Sequence, residues 1–379
     1  MRNLLFLISI GFALIPATLT AQLTSLPPSG WNQKASVSQH IGLVTVTIEY
    51  SSPDVTGDDG KSRDGHIWGE LVPYGLADND FGTASKMPWR AGANENTVFT
   101  VSHDVTIAGK ALAAGRYGLH MIPAEKGPWT LIFSKNADAW GSYFYDPAHD
   151  ALRVEVQAIE SPYQEWLTFF FEERKPTSAV AVMAWERLRV PFTIEVPRLM
   201  DYYVAQIEKE LQGTAGFGPE GWVQAAQFTL QHRTHLEKGL EWAENAVSRK
   251  WVGIKNFSTL STKAQVLMAL GRNEEAETVM NEAIRQPDAS VTQIHQFGRQ
   301  LLSTGKTGKA IEVFEYNAQK FPGEWPVYVG LTRAYAAAGD LKKALKYAKL
   351  ALPTVPAGDE LNRNSIQDMI RKLEKGENI

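Results

Sequence analysis

The sequence predicts an α+β multidomain chain: an antiparallel β-sandwich over about residues 35–197, followed by an all-α array of helical repeats. Three observations predict it. Apolar and polar residues alternate at period two through the first half, as in half-buried strands. At Pro197 the period shifts to that of an amphipathic helix. In the second half glycines and alanines recur at a spacing of 34 residues.

The elements follow in order. Residues 1–21 have the form of a cleaved export signal. Arg2 supplies the positive charge, "LLFLISIGFALIP" is an apolar run too short to cross a bilayer, and small residues near Thr20 and Ala21 offer a cleavage point. Polar "QLTSLPPSGWNQK" follows at once, unlike the flank of a membrane anchor. Residues 22–34 read as a Pro/Ser/Gln linker. The expected location is periplasmic or secreted, with no membrane span after signal removal. The 379 residues contain no cysteine. That excludes disulfides, thiolate metal sites, a cysteine nucleophile and a lipid-modified N-terminal cysteine, and it suits an oxidising compartment. A net charge of -4 gives no reason to expect nucleic acid as a partner.

In "LVTVTIEY", Val44, Val46, Ile48 and Tyr50 share one face, and Thr45, Thr47 and Glu49 the other. The alternation returns in "NTVFTVS", "RYGLHMI", "WTLIFS", "LRVEVQAI", "EWLTFFFE", "SAVAVMAW" and "LRVPFTIEV", separated by turn formers such as "AGK", "AAG", "EKGP" and "YDPAHD". Short strands so punctuated, with no helical pattern between them, argue for an antiparallel sandwich or barrel. After Pro197, "RLMDYYVAQIEKELQG" places Leu199, Tyr203, Val204, Ile207 and Leu211 on one face with Gly213 as a stop, giving a connecting helix over 198–219.

From 220 to 358 the chain repeats. Gly271, Gly305 and Gly339 lie 34 apart, as do Ala276, Ala310 and Ala344, and Leu267, Leu301 and Tyr335; Pro322 and Pro356 keep the same offset. Helix, glycine turn, second helix opening on a small residue, then a break: this resembles the tetratricopeptide repeat. A degenerate first unit lacks the glycine, with Thr234 in its place. Residues 359–379 form a polar capping helix and tail of the kind such arrays need. The first half is familiar too. "QHIGLVTVTIEYSSP", "IWGELVPYG", "WRAGANENT", "LAAGRYGLHMIP", "WTLIFSKNADAWGSYFYDPAHDALRVEV" and "MAWERLRVPFTIEV" resemble, in order, the bacterial DUF2911 family of unknown function, with "GDDGKSRDGH" as a longer loop than usual. The resemblance implies an exported protein of the Bacteroidota type, often with helical repeats behind it, and implies no activity.

Two groups of residues carry candidate chemistry. In "MPWRAGANENTVF", Trp89 offers a flat apolar platform, Arg90 a bidentate fork, Asn94 a donor and acceptor, and Glu95 an acceptor. The stretch is either a ligand-binding rim, with Tyr74 or His120 nearby and room for a small polar or carbohydrate ligand, or a hairpin braced by an Arg90–Glu95 pair. In the repeats, the first-helix positions that face a groove are Gln224, Phe228, Ser261, Gln265, His295, Arg299, Val329 and Arg333. Arg299 and Arg333 are 34 apart and should stack on one wall, where two guanidinia suit a carboxylate of a protein or peptide partner, unless helix acids pair them.

No Ser-His-Asp order, nucleophile elbow, zinc-binding helix motif or phosphate loop is present, and no metal or cofactor is expected. "DPAHD" reads as a turn and His232 with His235 as surface residues. The expected function is an exported binding or scaffold protein. The alternatives are an envelope hydrolase acting on carbohydrate or peptide through Glu95, and a purely structural envelope component.

Overall fold

The computed structural model describes residues 31–57 and 59–379, which divide into two compact units at Leu199. The expected signal (1–21) and residues 22–30 of the expected linker lie outside the described residues. The first unit contains strands β1 (Gln33–Ile41), β2 (Val44–Ser52), β3 (Ala77–Asp78), β4 (Lys86–Met87), β5 (Thr97–Val101), β6 (Val105–Ile107), β7 (Lys110–Leu112), β8 (Gly115–Ile122), β9 (Trp129–Ser134), β10 (Asp150–Val156), β11 (Ile159–Lys175) and β12 (Ser178–Glu195). One sheet has the order β1-β2-β5-β8-β9-β10, a second β11-β12-β6-β7, and β3-β4 is a separate ribbon. Every pairing between these strands is antiparallel.

Alternation builds these strands. On β2, Val44, Val46 and Ile48 are buried, Thr45 and Thr47 are half-buried, and Glu49 is exposed. The β6–β7 hairpin closes through Ala108 and Gly109, both with positive φ (47° and 80°), as a primed turn requires. The structure also differs from the sequence expectation. β1 begins at Gln33, inside the stretch read as linker. "SAVAVMAW" and "LRVPFTIEV" are one 18-residue strand rather than two. Glu186, at φ 54°, sits where the β11–β12 register shifts, so a bulge bends the strand without ending it.

The second unit contains α1 (Leu199–Glu210), α2 (Pro219–His232), α3 (Leu236–Ser248), α4 (Phe257–Ala269), α5 (Asn273–Ala283), α6 (Val291–Ser303), α7 (Thr307–Lys320), α8 (Trp325–Ala337), α9 (Leu341–Ala351) and α10 (Glu360–Glu374). From α2 to α9 they form four tetratricopeptide-like pairs. Gly271, Gly305 and Gly339 follow α4, α6 and α8 at φ 76–81°. The amide just beyond each glycine returns to a carbonyl in the preceding helix's last turn: Arg272 to Leu267, Lys306 to Leu301, Asp340 to Tyr335. The first pair makes the same closure from Thr234 to Thr229. Its left-handed residue is Arg233, φ 49°, so the glycine's place belongs to Arg233 and not to Thr234.

Small residues let the pairs approach. Ala276, Ala310 and Ala344 are buried; in the first pair Gly239 is buried against Thr229, and a Cβ there would overlap its hydroxyl. Phe314 of α7 is fully buried against Gly298 of α6 and Gly330 of α8. The last helix, α10, buries Ile366 and Leu373 and leaves most of its other side chains in solvent.

The turn at Gly305 needs its left-handed backbone, although a Cβ there would meet nothing within 4 Å. Gly305→Val is therefore expected to cost about 1–3 kcal/mol through backbone strain alone. Urea melts of the variant check this; a wild-type midpoint would show that the turn tolerates a β-branched residue.

Candidate functional site

Trp89 is bonded through its backbone to Met121 of β8, N to O at 2.8 Å and O to N at 2.7 Å. Thr97, at the start of β5, pairs with Leu119 of the same strand. Both ends of "WRAGANENT" are thus pinned to β8, and residues 90–96 loop out between the two attachments. Local chemistry shapes the loop. Ala91 (φ 52°) and Asn94 (φ 56°) take left-handed backbone. Thr97 Oγ1 donates to Ala91 O at 3.0 Å, Ala93 N donates to Ser51 O at 3.0 Å, and Trp89 Nε1 donates to Gly92 O at 3.2 Å. A Cβ on Gly92 would come within 2.8 Å of Thr97 Oγ1 and 3.0 Å of Ser51 O. The glycine is needed for packing against the protein itself.

The expected Arg90–Glu95 pair does not form. Arg90 Nη1 donates to Asn94 O at 2.5 Å, and the guanidinium lies 4.9 Å from the Tyr143 ring centroid, against Gly141. Glu95 instead meets Lys34 Nζ at 3.0 Å and accepts from Ser51 Oγ at 3.2 Å. Asn94's left-handed turn separates the two charges, so they reach different neighbours. Burial acts to raise the Glu95 pKa, but Lys34, with Ser51 and the local backbone, holds it below the ordinary value. A general acid needs the opposite shift.

Trp89, Arg90 and Asn94 line a cavity of about 890 Å³, with Arg63, His66, Leu71 and Trp185 among its other walls; Glu95 faces a neighbouring depression with Lys34 and Arg116. Tyr74 and His120, expected nearby, are not among the cavity's lining residues, although His120 lies within reach of the Arg90 charge. The Tyr74 ring rests over Gly69. His120 is 2% exposed on β8, with Nδ1 3.0 Å from Ser142 Oγ and its ring 5.6 Å from that of Tyr145. Burial first, and the Arg90 charge second, push its pKa down to about 4. "DPAHD" is a turn: Asp146 caps the amide of Ala148, and Asp150 is held by Tyr145 and Arg153.

Behind the cavity stands an indole cluster of which the sequence singles out only Trp89. Trp68 sits edge-on to Trp89, Trp129 and Trp185 at centroid distances of 5.6, 5.1 and 5.7 Å, and Trp89 is nearly parallel to Trp185 at 6.2 Å. The cluster draws Trp129 from one sheet and Trp185 from the other. Trp129 Nε1 donates to Ala124 O at 3.0 Å, but the Nε1 atoms of Trp68 and Trp185 are buried without an acceptor. A donor so left costs about 1–3 kcal/mol. The sequence signal for this cluster is an abundance of tryptophan in one domain, which names no geometry. The loop "GDDGKSRDGH", singled out as unusual, contributes Lys61, Arg63 and His66 to the cavity.

In the repeats, Gln265 and Arg299 are exposed, and His295 and Arg333 are half-buried. Val329, expected on the groove, is buried in a cluster with Val355 and Ile366 of the C-terminal cap, and Ser261 is buried with its hydroxyl on Ser258 O. Gln224 is exposed, and Phe228 packs on Tyr203 and His232. His235 occupies the N-cap of α3, with Nε2 3.2 Å from Asp201. The expected alternative of internally paired arginines is not what forms: among the described residues neither Arg299 nor Arg333 has an ion pair or hydrogen bond. Burial and then the Arg299 charge pull the Arg333 pKa down. Burial, then Arg299 and Arg333, depress His295 to about 4, with only the Pro326 backbone acting the other way, and its Nδ1 is buried without a partner. Two like charges and an imidazole with a depressed pKa thus converge, with no acid among the described residues acting on His295 or Arg333.

Residues 32–194 match the family described as Protein of unknown function (DUF2911), a little under half of the chain. No curated protein matches. Among solved structures, the chain is similar to a thermophilic TPR protein of Thermus thermophilus, with 20% identity, 45% of this chain and 90% of that one covered, and a TM-score of 0.31. It is similar to YrrB, a TPR protein with an unusual peptide-binding site, with 17% identity, 45% and 84% coverage, and a TM-score of 0.32. The C-terminal part of a TPR repeat-containing protein from Cytophaga hutchinsonii gives 16% identity, 46% and 73% coverage, and a TM-score of 0.33.

Proposed function

We propose that this protein is an exported two-module binding protein whose repeats hold a protein or peptide partner through a carboxylate. One observation carries the reading. Arg333 is half-buried beside Arg299, its charge already disfavoured, and among the described residues no acid answers either guanidinium. A partly desolvated charge beside a like charge is costly when unpaired and gains most from an anionic partner. A peptide C-terminus or an acidic side chain supplies two oxygens in the geometry a guanidinium binds best. His295, neutral at pH 7, offers a further nitrogen beside them.

Changing Arg299 to Gln and Arg333 to Met together keeps side-chain bulk while removing both charges. The pair is expected to weaken capture of the native partner from envelope extract by about 2–5 kcal/mol. The thermal midpoint should hold or rise, because repulsion is relieved. Undiminished capture by the double variant would place the partner elsewhere. Equal binding of a test peptide with a free and an amidated C-terminus would leave only an internal acidic residue as the carboxylate source.

A further inference from the structure

The cavity behind Trp89 carries a second site, independent of the repeat groove. Trp185 lines it, is 1% exposed, and has a buried Nε1–H with no acceptor. Neighbouring indoles show that the fold can satisfy such a group: Trp89 and Trp129 each reach a backbone carbonyl. Trp68 Nε1 is left unbonded as well, but of the two only Trp185 lines the cavity, so its donor is the one that an acceptor held there can answer.

The charge of the walls says what that is. Among the described residues, Lys61, Arg63 and Arg90 line the cavity against one carboxylate, Asp59, which Lys61 already holds at 3.0 Å. Arg63 is bound to Asp54 and to the carbonyls of Asp54 and Val55. Arg90 has a backbone carbonyl and an aromatic face but no ion pair among the described residues. Leu71, Val72 and Trp89 make the remaining wall apolar. At about 890 Å³ the space is of small-molecule size.

We propose that this cavity binds a small organic acid with an aromatic or branched apolar body. One carboxylate oxygen accepts the Trp185 N–H, the negative charge answers Arg90, and the body packs against Trp89, Leu71 and Val72. A neutral sugar would stack on an indole face equally well, but it would leave the excess positive charge unmatched.

Full-length protein with nitrogen-15-labelled tryptophan tests this, the Trp185 side-chain resonance being assigned with Trp185→Phe. The probes are acetate, phenylacetate, 3-phenylpropionate, phenylacetamide and lactose. The phenyl acids are expected to shift the Trp185 N–H signal saturably, with acetate and phenylacetamide about tenfold weaker or worse. Arg90→Gln should weaken the acids about tenfold and leave phenylacetamide unchanged. The proposal is overturned if no acid shifts the signal by about 10 mM, a Kd at which binding is negligible, if acid and amide bind alike, or if lactose binds more tightly than the acids.

Discussion

Replacing Phe314 with alanine is expected to remove about 3–5 kcal/mol from the stability of the repeat unit. The ring is fully buried where α6, α7 and α8 meet. It packs on the His295 ring, 5.3 Å away between centroids, and against two glycines: a Cβ on Gly298 would fall 2.6 Å from the ring, and one on Gly330 nearer still. The helices approach because those positions lack side chains, and the phenyl group fills the space between them. Without it neither glycine has anything to expand into the gap, so the cavity stays open on two helix interfaces at once. Stability in such arrays is shared between neighbours, and the loss should spread to the pairs on both sides. Urea unfolding followed by circular dichroism measures this. A loss below about 1 kcal/mol would mean that the unit collapses onto the site more freely than its packing implies.

Acidification is expected to weaken the sandwich through His120. The imidazole has a folded-state pKa of about 4, against an ordinary value of 6.5. Between those values the unfolded chain takes up a proton that the folded one refuses. The contribution is therefore fully present above about pH 6.5 and is lost as pH falls toward 4. At 1.36 kcal/mol per pH unit the loss is on the order of 3 kcal/mol. Ser142 can hydrogen-bond the neutral ring, but Arg90 opposes its charging. Thermal midpoints of the wild type and His120→Gln between pH 7.5 and 4.5 separate this effect from the carboxylates that titrate in both. Parallel slopes would show that the ring protonates in place. His295 shifts in the same direction in the repeat unit, adding acid sensitivity there.

The parts of this fold legible in the sequence are those set by near neighbours. Val44, Val46 and Ile48 declare a buried face because side chains alternate along any strand. Arg299 and Arg333 could be placed together because one repeat stacks on the next, turning a spacing in sequence into a spacing along a wall. What escaped was decided by distant contacts. Lys34 claims Glu95, and Met121 claims the backbone of Trp89. No local pattern near Arg90 announces either event. Arg233 takes the glycine's place without a local signal, because non-glycine residues rarely take left-handed backbone. The indole cluster assembles from four separate segments, and composition alone gives neither its unsatisfied donors nor the cavity beside them.

The attachment of both Trp89 and Thr97 to one strand makes the segment between them a cassette. A strand interrupted by an insertion ordinarily risks a register slip that turns every later side chain to the wrong face. Here the register is set independently before and after the insertion, so a change at the tip of the 90–96 loop need not propagate along the sheet. Gly92, wedged against Thr97 and Ser51, and Ala93, whose amide donates to Ser51 O, hold the cassette to the sheet, while Asn94 is on the cavity side. The architecture separates the loop that walls the cavity from the strands that set the register.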